Sequence, residues 1–270
     1  MSNNEDKVKS IITTGSEMVG AAAGGVLGFL LGGPAGAAAG GVVGVAISKT
    51  TSKVLTDVAN RSLSHREEIR IGIAATFAIE KIQKKLAAGE QPRNDCFFQT
   101  QHNVSRSSAE EIFEGVLLKS KNEHEEKKIK LLANIFANVA FVSGLRVGEA
   151  NHILQIADNL TYRQMCILGL FQRKTEIQDI KLKENDYRTF QGSLSYETAS
   201  ILQETYQLYN FGLLACRNST SNGYEAMLGW TDTAPNRMEL TILAKRYYSI
   251  IGLDEIPIAD LRDVAVFLIK

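Results

Sequence analysis

A mainly α-helical protein is predicted, built from an N-terminal glycine-zipper helical hairpin, a central helical domain and a C-terminal winged-helix-like module with a small β-hairpin. Three observations carry this expectation. Glycine recurs every fourth residue from Gly20 to Gly44, apolar residues follow capping signals at helical spacing through the middle of the chain, and two short β-like runs flank the turn-rich stretch 218–223. The expected divisions are 1–62, 63–158 and 159–270.

The glycine repeat is the most unusual of these. From position 18 to 48 there is no charged residue, and ten of the chain's 22 glycines fall there. Gly20, Gly24, Gly28, Gly32, Gly36, Gly40 and Gly44 keep one phase without a gap. A small residue at every fourth position lets helix backbones approach closely, which is how GxxxG pairs associate where lipid supplies no hydrophobic force. Glycine costs an exposed helix about 1 kcal/mol relative to alanine, so seven in phase need a reason. Four residues rotate a helix by about 40° beyond a full turn, and a single long helix would smear the stripe around its circumference. The Gly32-Gly33-Pro34 sequence breaks it, because proline clashes with the turn before it and suits the start of a new helix. The expectation is a hairpin turning at Gly33 and Pro34, with arms over 20–32 and 36–44. Arms of roughly 14 residues would be about 21 Å long, short of the ~30 Å hydrocarbon core. Insertion of one copy is marginal, which points to a hairpin shielded at rest and inserted when several copies pack together.

Beyond the hairpin, 49–62 reads as a connector or helical continuation with Val54, Leu55 and Val58 on one side. Ser64 and Glu67 form a capping box for a helix with Ile69, Ile73, Phe77, Ile82 and Leu86 on its apolar face. Positions 90–107 read as a loop or loosely packed linker. Ser108 opens a further helix, and the run Glu123-His124-Glu125-Glu126-Lys127-Lys128-Ile129-Lys130 is expected as a solvated helical face leading into Leu131 and Phe136. His124 lacks the second histidine of HExxH and is not expected to bind metal. Another helix is expected over 148–158.

Thr161 and Gln164 form a second capping box, before a helix through Leu168 and Phe171, and 194–208 reads as a further amphipathic helix. Strands are expected over 211–216 and 224–230, then a helix over 240–250. Helices followed by a short hairpin outline a winged helix, which invites a DNA-binding reading. Arg163, Arg173, Lys174, Lys181, Lys183 and Arg188 offer positive charge, but Glu176, Asp179, Glu184 and Asp186 interleave with them, and Glu197 and Glu204 lie on the second helix. No concentrated phosphate-binding stripe results.

Composition bounds the rest. At 270 residues the chain is long enough for one large or two ordinary domains, and 44% hydrophobic with 22% charged residues describes a foldable globular protein. Thirty basic residues balance thirty acidic ones, so any preference for an anionic surface must be local. Cys96, Cys166 and Cys216 are scattered and odd in number, which argues against a disulfide framework or zinc site and for a reducing cytoplasm. The opening MSNNEDKVKS mixes acids with lysines, and no cleaved signal peptide is expected. No phosphate-binding loop, nucleophile elbow or CxxC pair is present, and a Cys96–His102 nucleophile pair is only one loop's neighbours in sequence. Neither an enzyme, a metal nor a cofactor is expected.

The stretches KIKLLANIFANVA, GEANHILQIADNLTYRQMCILGLF, YQLYNFGLLACR and LTILAKRYYSIIGL resemble a bacterial family of abortive-infection-alpha-like proteins, over about half of the chain. Ala244 stands where that pattern usually has glycine, and Asn151 precedes His152 where it has no counterpart of the usual His-Pro pair. The resemblance implies a role in phage defence through arrest or death of the infected cell. Together these readings predict a membrane-targeting effector, cytoplasmic and joining the bacterial inner membrane, that acts on the lipid bilayer as a homo-oligomer and answers to a restraining or sensing protein partner. A soluble winged-helix DNA-binding regulator and a membrane-anchored adaptor without pore activity are the alternatives.

Overall fold

The computed structural model describes residues 2–31, 41–100, 104–177 and 180–269. It is mainly helical with one small three-stranded antiparallel sheet, as the sequence predicts, and it divides into two compact units, Met1–Asn159 and Leu160–Lys270. Residues 1–62, expected as a segment of their own, belong to the first unit together with 63–158.

The first unit begins with a helix the sequence reading did not include, α1 (Ser2–Val19). Val8, Ile11, Ile12, Gly15 and Ser16 recur three and four residues apart and are all buried, giving α1 a single inward stripe. Then come α2 (Ala23–Leu31), α3 (Gly41–Ala59) and α4 (His65–Ala87). The 49–62 stretch is the helical continuation: α3 runs on to Ala59 and buries Ile47, Thr51, Val54, Leu55 and Val58.

Helix α4 starts at the expected box. The Ser64 backbone N–H donates to the Glu67 carboxylate at 2.7 Å, and that bond holds the Glu67 carboxyl below its ordinary range. Its burial differs from the single face expected, because Ile71, Ala74, Ala75, Ala78, Ile79 and Ile82 are fully enclosed while Ile69 and Phe77 are half-buried. The small alanines let α1, α5 (Ser108–Asn122) and α6 (Glu126–Val139) close on α4 from different sides, which makes it the central helix of this unit. Phe113 of α5 packs on Phe136 of α6 with ring centroids 4.6 Å apart. The cap of α5 is Ser107 and not Ser108: the Ser107 hydroxyl accepts the Glu110 N–H at 3.2 Å, which leaves Ser108 in the first turn. The unit ends with α7 (Val147–Asn159).

Two polar clasps depart from the sequence reading. The charged run at 123–128 is not one solvated helical face. The chain breaks between α5 and α6, and the side chains of Glu123 and Lys128 are 5% and 4% exposed, paired at 2.6 Å. The Lys128 ammonium also donates to the Asp158 carbonyl at 3.0 Å, one of the last carbonyls of α7, which have no partner within the helix. Burial acts to raise the Glu123 carboxyl, but Lys128 and the Glu125 backbone N–H outweigh it and hold the group below its ordinary value of 4.5. A carboxyl depressed on folding stabilises fully above its unfolded value and loses that contribution as pH falls through the folded one. Thermal stability should therefore decline as pH is lowered below about 4.5, and in melts recorded across that range Glu123→Gln should show less of the decline.

The second clasp lies in the stretch read as a loose linker. Arg93 is buried, with its Nε donating to Asp95 at 2.8 Å and its guanidinium donating to the carbonyls of Leu145 at 3.0 Å and Val139 at 3.4 Å. Its own backbone N–H donates to the Ala140 carbonyl at 2.9 Å, and its guanidinium sits 4.3 Å from the centre of the Phe97 ring. This loop is fastened to the C-terminal end of α6 by a planar side chain that gathers carbonyls no helix can pair.

In the second unit α8 (Tyr162–Arg173) opens at the Thr161–Gln164 box, with the Thr161 N–H donating to the Gln164 side chain at 3.0 Å and the Gln164 N–H to the Thr161 hydroxyl at 3.1 Å. Then α9 (Tyr196–Asn210) runs into Gly212, whose left-handed φ of 70° ends it. For that reason the strand expected over 211–216 starts later, as β1 (Leu214–Arg217). Asn218 closes the turn by accepting the backbone N–H groups of Thr220 at 2.8 Å and Ser221 at 3.2 Å. The return strand β2 covers only Tyr224–Glu225, since Trp230–Asp232 coils into a 3-10 turn. A third strand, β3 (Met238–Leu240), pairs with the other edge of β1, matching Cys216 with Met238 and Leu214 with Leu240, all buried. The helix expected from 240 instead starts after Thr241, as α10 (Ile242–Ile251). The unit closes with α11 (Ile258–Ala265), tied to α8 by the Tyr162 hydroxyl, which donates to Asp260 at 2.6 Å.

Candidate functional site

The glycine repeat supplies the candidate site, and its members do not share one environment. Gly20 is not part of a helical arm. Its φ of 68° ends α1, with its N–H donating to the Glu17 carbonyl at 3.3 Å and that of Ala21 to the Ser16 carbonyl at 2.8 Å. That pair of bonds is a Schellman cap, a position that favours glycine whatever surrounds it. Gly24 and Gly28 lie on α2, and among the described residues a β-carbon placed on either, or on Gly25, would meet nothing within 4 Å. Gly44 is buried in α3. Gly32, Gly36 and Gly40, with the turn residues Gly33 and Pro34, lie outside the described residues.

Of the large residues of α2, three are buried, Leu27 is half-buried and Leu31 is exposed. Val26, Phe29 and Leu30 are 1%, 2% and 3% exposed, whereas the glycines face out. Two side chains from neighbouring helices grip its backbone: Ser48 of α3 donates to the Phe29 carbonyl at 2.6 Å, and Gln83 of α4 donates to the Gly25 carbonyl at 3.0 Å. Further along α3, Lys53 pairs with Glu110 at 2.9 Å and Arg61, just beyond the helix, pairs with Glu114, both partners lying on α5. The described parts of the uncharged stretch, 18–31 and 44–48, are thus folded into the first unit by apolar side chains and by polar contacts such as that of Ser48. Among the described residues, no helix is long and apolar enough to cross a membrane.

Five of the six cations considered for nucleic acid make contacts within the second unit, and the sixth, Lys181, is exposed. Arg163 bonds Glu204 at 3.1 Å, Glu197 at 3.0 Å and the Ser200 hydroxyl at 2.7 Å, so the acids noted on α9 are its partners. Arg173 bonds Glu176 and the carbonyls of Asp254 and Ile256. Lys174 donates to the carbonyls of Asn236 and Met238, and burial pushes its ammonium below the ordinary lysine range. Arg188 pairs with Asp186 at 2.9 Å, and the Lys183 ammonium stands 5.4 Å from the Tyr187 ring centre.

Carboxylate and imidazole atoms of Glu123, His124 and Glu125 fall within 4.8 Å of one another, but Glu123 is already neutralised by Lys128. Cys96 is exposed, while Cys166 and Cys216 are buried, and His102 lies outside the described residues, so the Cys96–His102 pairing does too. The sequence reading missed the inward–outward division of α2, although the spacing of Val26, Phe29 and Leu30 contained it. Comparison of the chain with protein-family models, curated proteins and solved structures finds no match.

Proposed function

We propose that the chain is a membrane-targeting effector held in a closed form, whose glycine-zipper segment leaves the first unit, oligomerises and disrupts a bilayer. The observation that carries this reading is the uncharged stretch over 18–48 with glycine at every fourth position, combined with an α2 that buries Val26, Phe29 and Leu30 and leaves Gly24, Gly25 and Gly28 facing outward. The resemblance to abortive-infection-alpha-like proteins adds the setting: defence against phage at the bacterial inner membrane, with a protein partner that restrains or triggers the chain. Against a DNA-binding role stand Arg163, Arg173 and Lys174, whose hydrogen bonds are made within the fold.

The burial of Val26, Phe29 and Leu30 also favours a second reading, in which the stretch is only a structural part of a soluble helical bundle. Expression in bacteria with a membrane-potential dye and fractionation separates the two. On phage challenge of the expressing cells, which supplies the trigger, the intact chain should collapse the potential and enter the membrane fraction, and replacing Gly24, Gly28, Gly36 and Gly40 together by leucine should abolish both. An intact chain that stays soluble and leaves the potential unchanged sinks the effector reading. Membrane association with the potential preserved would leave an anchored adaptor.

A further inference from the structure

Where α1 crosses α4, glycine stands on both sides. A β-carbon on Gly15 would lie 2.2 Å from the carbonyl carbon of Gly72, and one on Gly72 would lie 2.2 Å from the carbonyl oxygen of Ile11 and 3.1 Å from Gly15 Cα. These obstacles are backbone atoms, so no side chain fits at either position without moving a helix. Beside this seam the hydroxyls of Ser16 and Thr76, both buried, meet at 3.3 Å, and Val8, Ile11 and Ile12 complete the covered stripe of α1.

Helix α1 passes through the Gly20 cap directly into α2, and α2 and α3 both pack against it. On its own, α2 offers only three large buried side chains and an outer face of glycine. Its position is shared among α1, α3 and α4, and α1 is the neighbour joined to it directly through the Gly20 cap. We propose that α1 is an autoinhibitory strap: its glycine-to-glycine seam with α4 keeps α2 folded on the first unit, and parting of that seam is the step that releases the zipper. The destination of the released segment rests on the membrane reading above, but the strap does not.

Two full-length variants test it, each on a Cys96→Ser background to remove the exposed thiol. Gly72→Val wedges the seam apart. Ser16→Cys/Thr76→Cys places two thiols where the hydroxyls now meet, within reach of a disulfide. Hydrogen exchange without lipid is read first. Gly72→Val should speed exchange of the α2 amides by about tenfold or more, leaving those of the second unit unchanged. The oxidised double-cysteine chain should slow α2 exchange by about tenfold relative to its reduced form. Equal α2 exchange in the oxidised and reduced chains overturns the strap, and that comparison stands even where Gly72→Val does not fold.

Dye release from phosphatidylethanolamine–phosphatidylglycerol vesicles is read second. The reduced double-cysteine chain and Gly72→Val should release dye and the oxidised chain should not. Release that is measurable and equal from oxidised and reduced chains again overturns the strap. If exchange responds as expected and no chain releases dye, the strap holds and the membrane function is the part that fails.

Discussion

Lys128→Ala is expected to destabilise the first unit by about 3–5 kcal/mol, because it strands the Glu123 carboxylate in an enclosed site with its cation gone. The loss is not confined to one pair. The same ammonium serves the Asp158 carbonyl at the end of α7, where Lys119 of α5 also reaches the Asp158 carboxylate at 2.5 Å. Three helices converge on that point, and removing Lys128 should loosen the junction of α6 with α7 first. Replacing both partners, as Glu123→Gln with Lys128→Met, should recover much of the loss, since a buried ion pair often does little better than a well-packed neutral one. Urea unfolding monitored by circular dichroism gives both values. A Lys128→Ala midpoint equal to that of the parent would mean that water reaches the pair freely.

Arg93→Ala is expected to cost about 2–4 kcal/mol, since it takes the guanidinium from the Leu145 carbonyl, leaves that of Val139 with only the Val142 N–H, and removes the cover over Phe97. Lysine should not restore it. A single ammonium can keep the charge beside Asp95 but cannot reproduce the fork that meets Asp95 and two carbonyls at once. Limited proteolysis should then cut the Arg93→Ala chain near Cys96–Phe98 faster than the parent. Unchanged cleavage would show that Phe97 alone holds the loop.

These two clasps were also the hardest features to foresee from sequence. Both depend on contacts between residues distant along the chain: Arg93 with Leu145, Lys128 with Asp158. Local pattern could say only that 123–128 is charged and that 90–107 lacks periodicity. Where the determinant was local, it was legible: Ser64 with Glu67 and Thr161 with Gln164 marked helix starts because each box lies within four residues. The mainly helical class and the turn at Asn218 followed for the same reason.

The glycine repeat shows the limit from the other side. Its phase was visible at once, but phase does not reveal that Gly20 is there for a left-handed torsion and Gly24 for something else. Helix α1 was overlooked because its stripe of Val8, Ile11, Ile12 and Gly15 is interrupted by polar residues, and its reason for existing, Gly72, is more than fifty positions away.

The open space around Gly24, Gly25 and Gly28 has one more consequence. Alanine at any of the three would meet no described atom within 4 Å, and at Gly28, in the body of α2, it would favour the helix by about 1 kcal/mol. At Gly28 α2 is thus less stable than an alanine would make it, and low resting stability favours the release proposed for it.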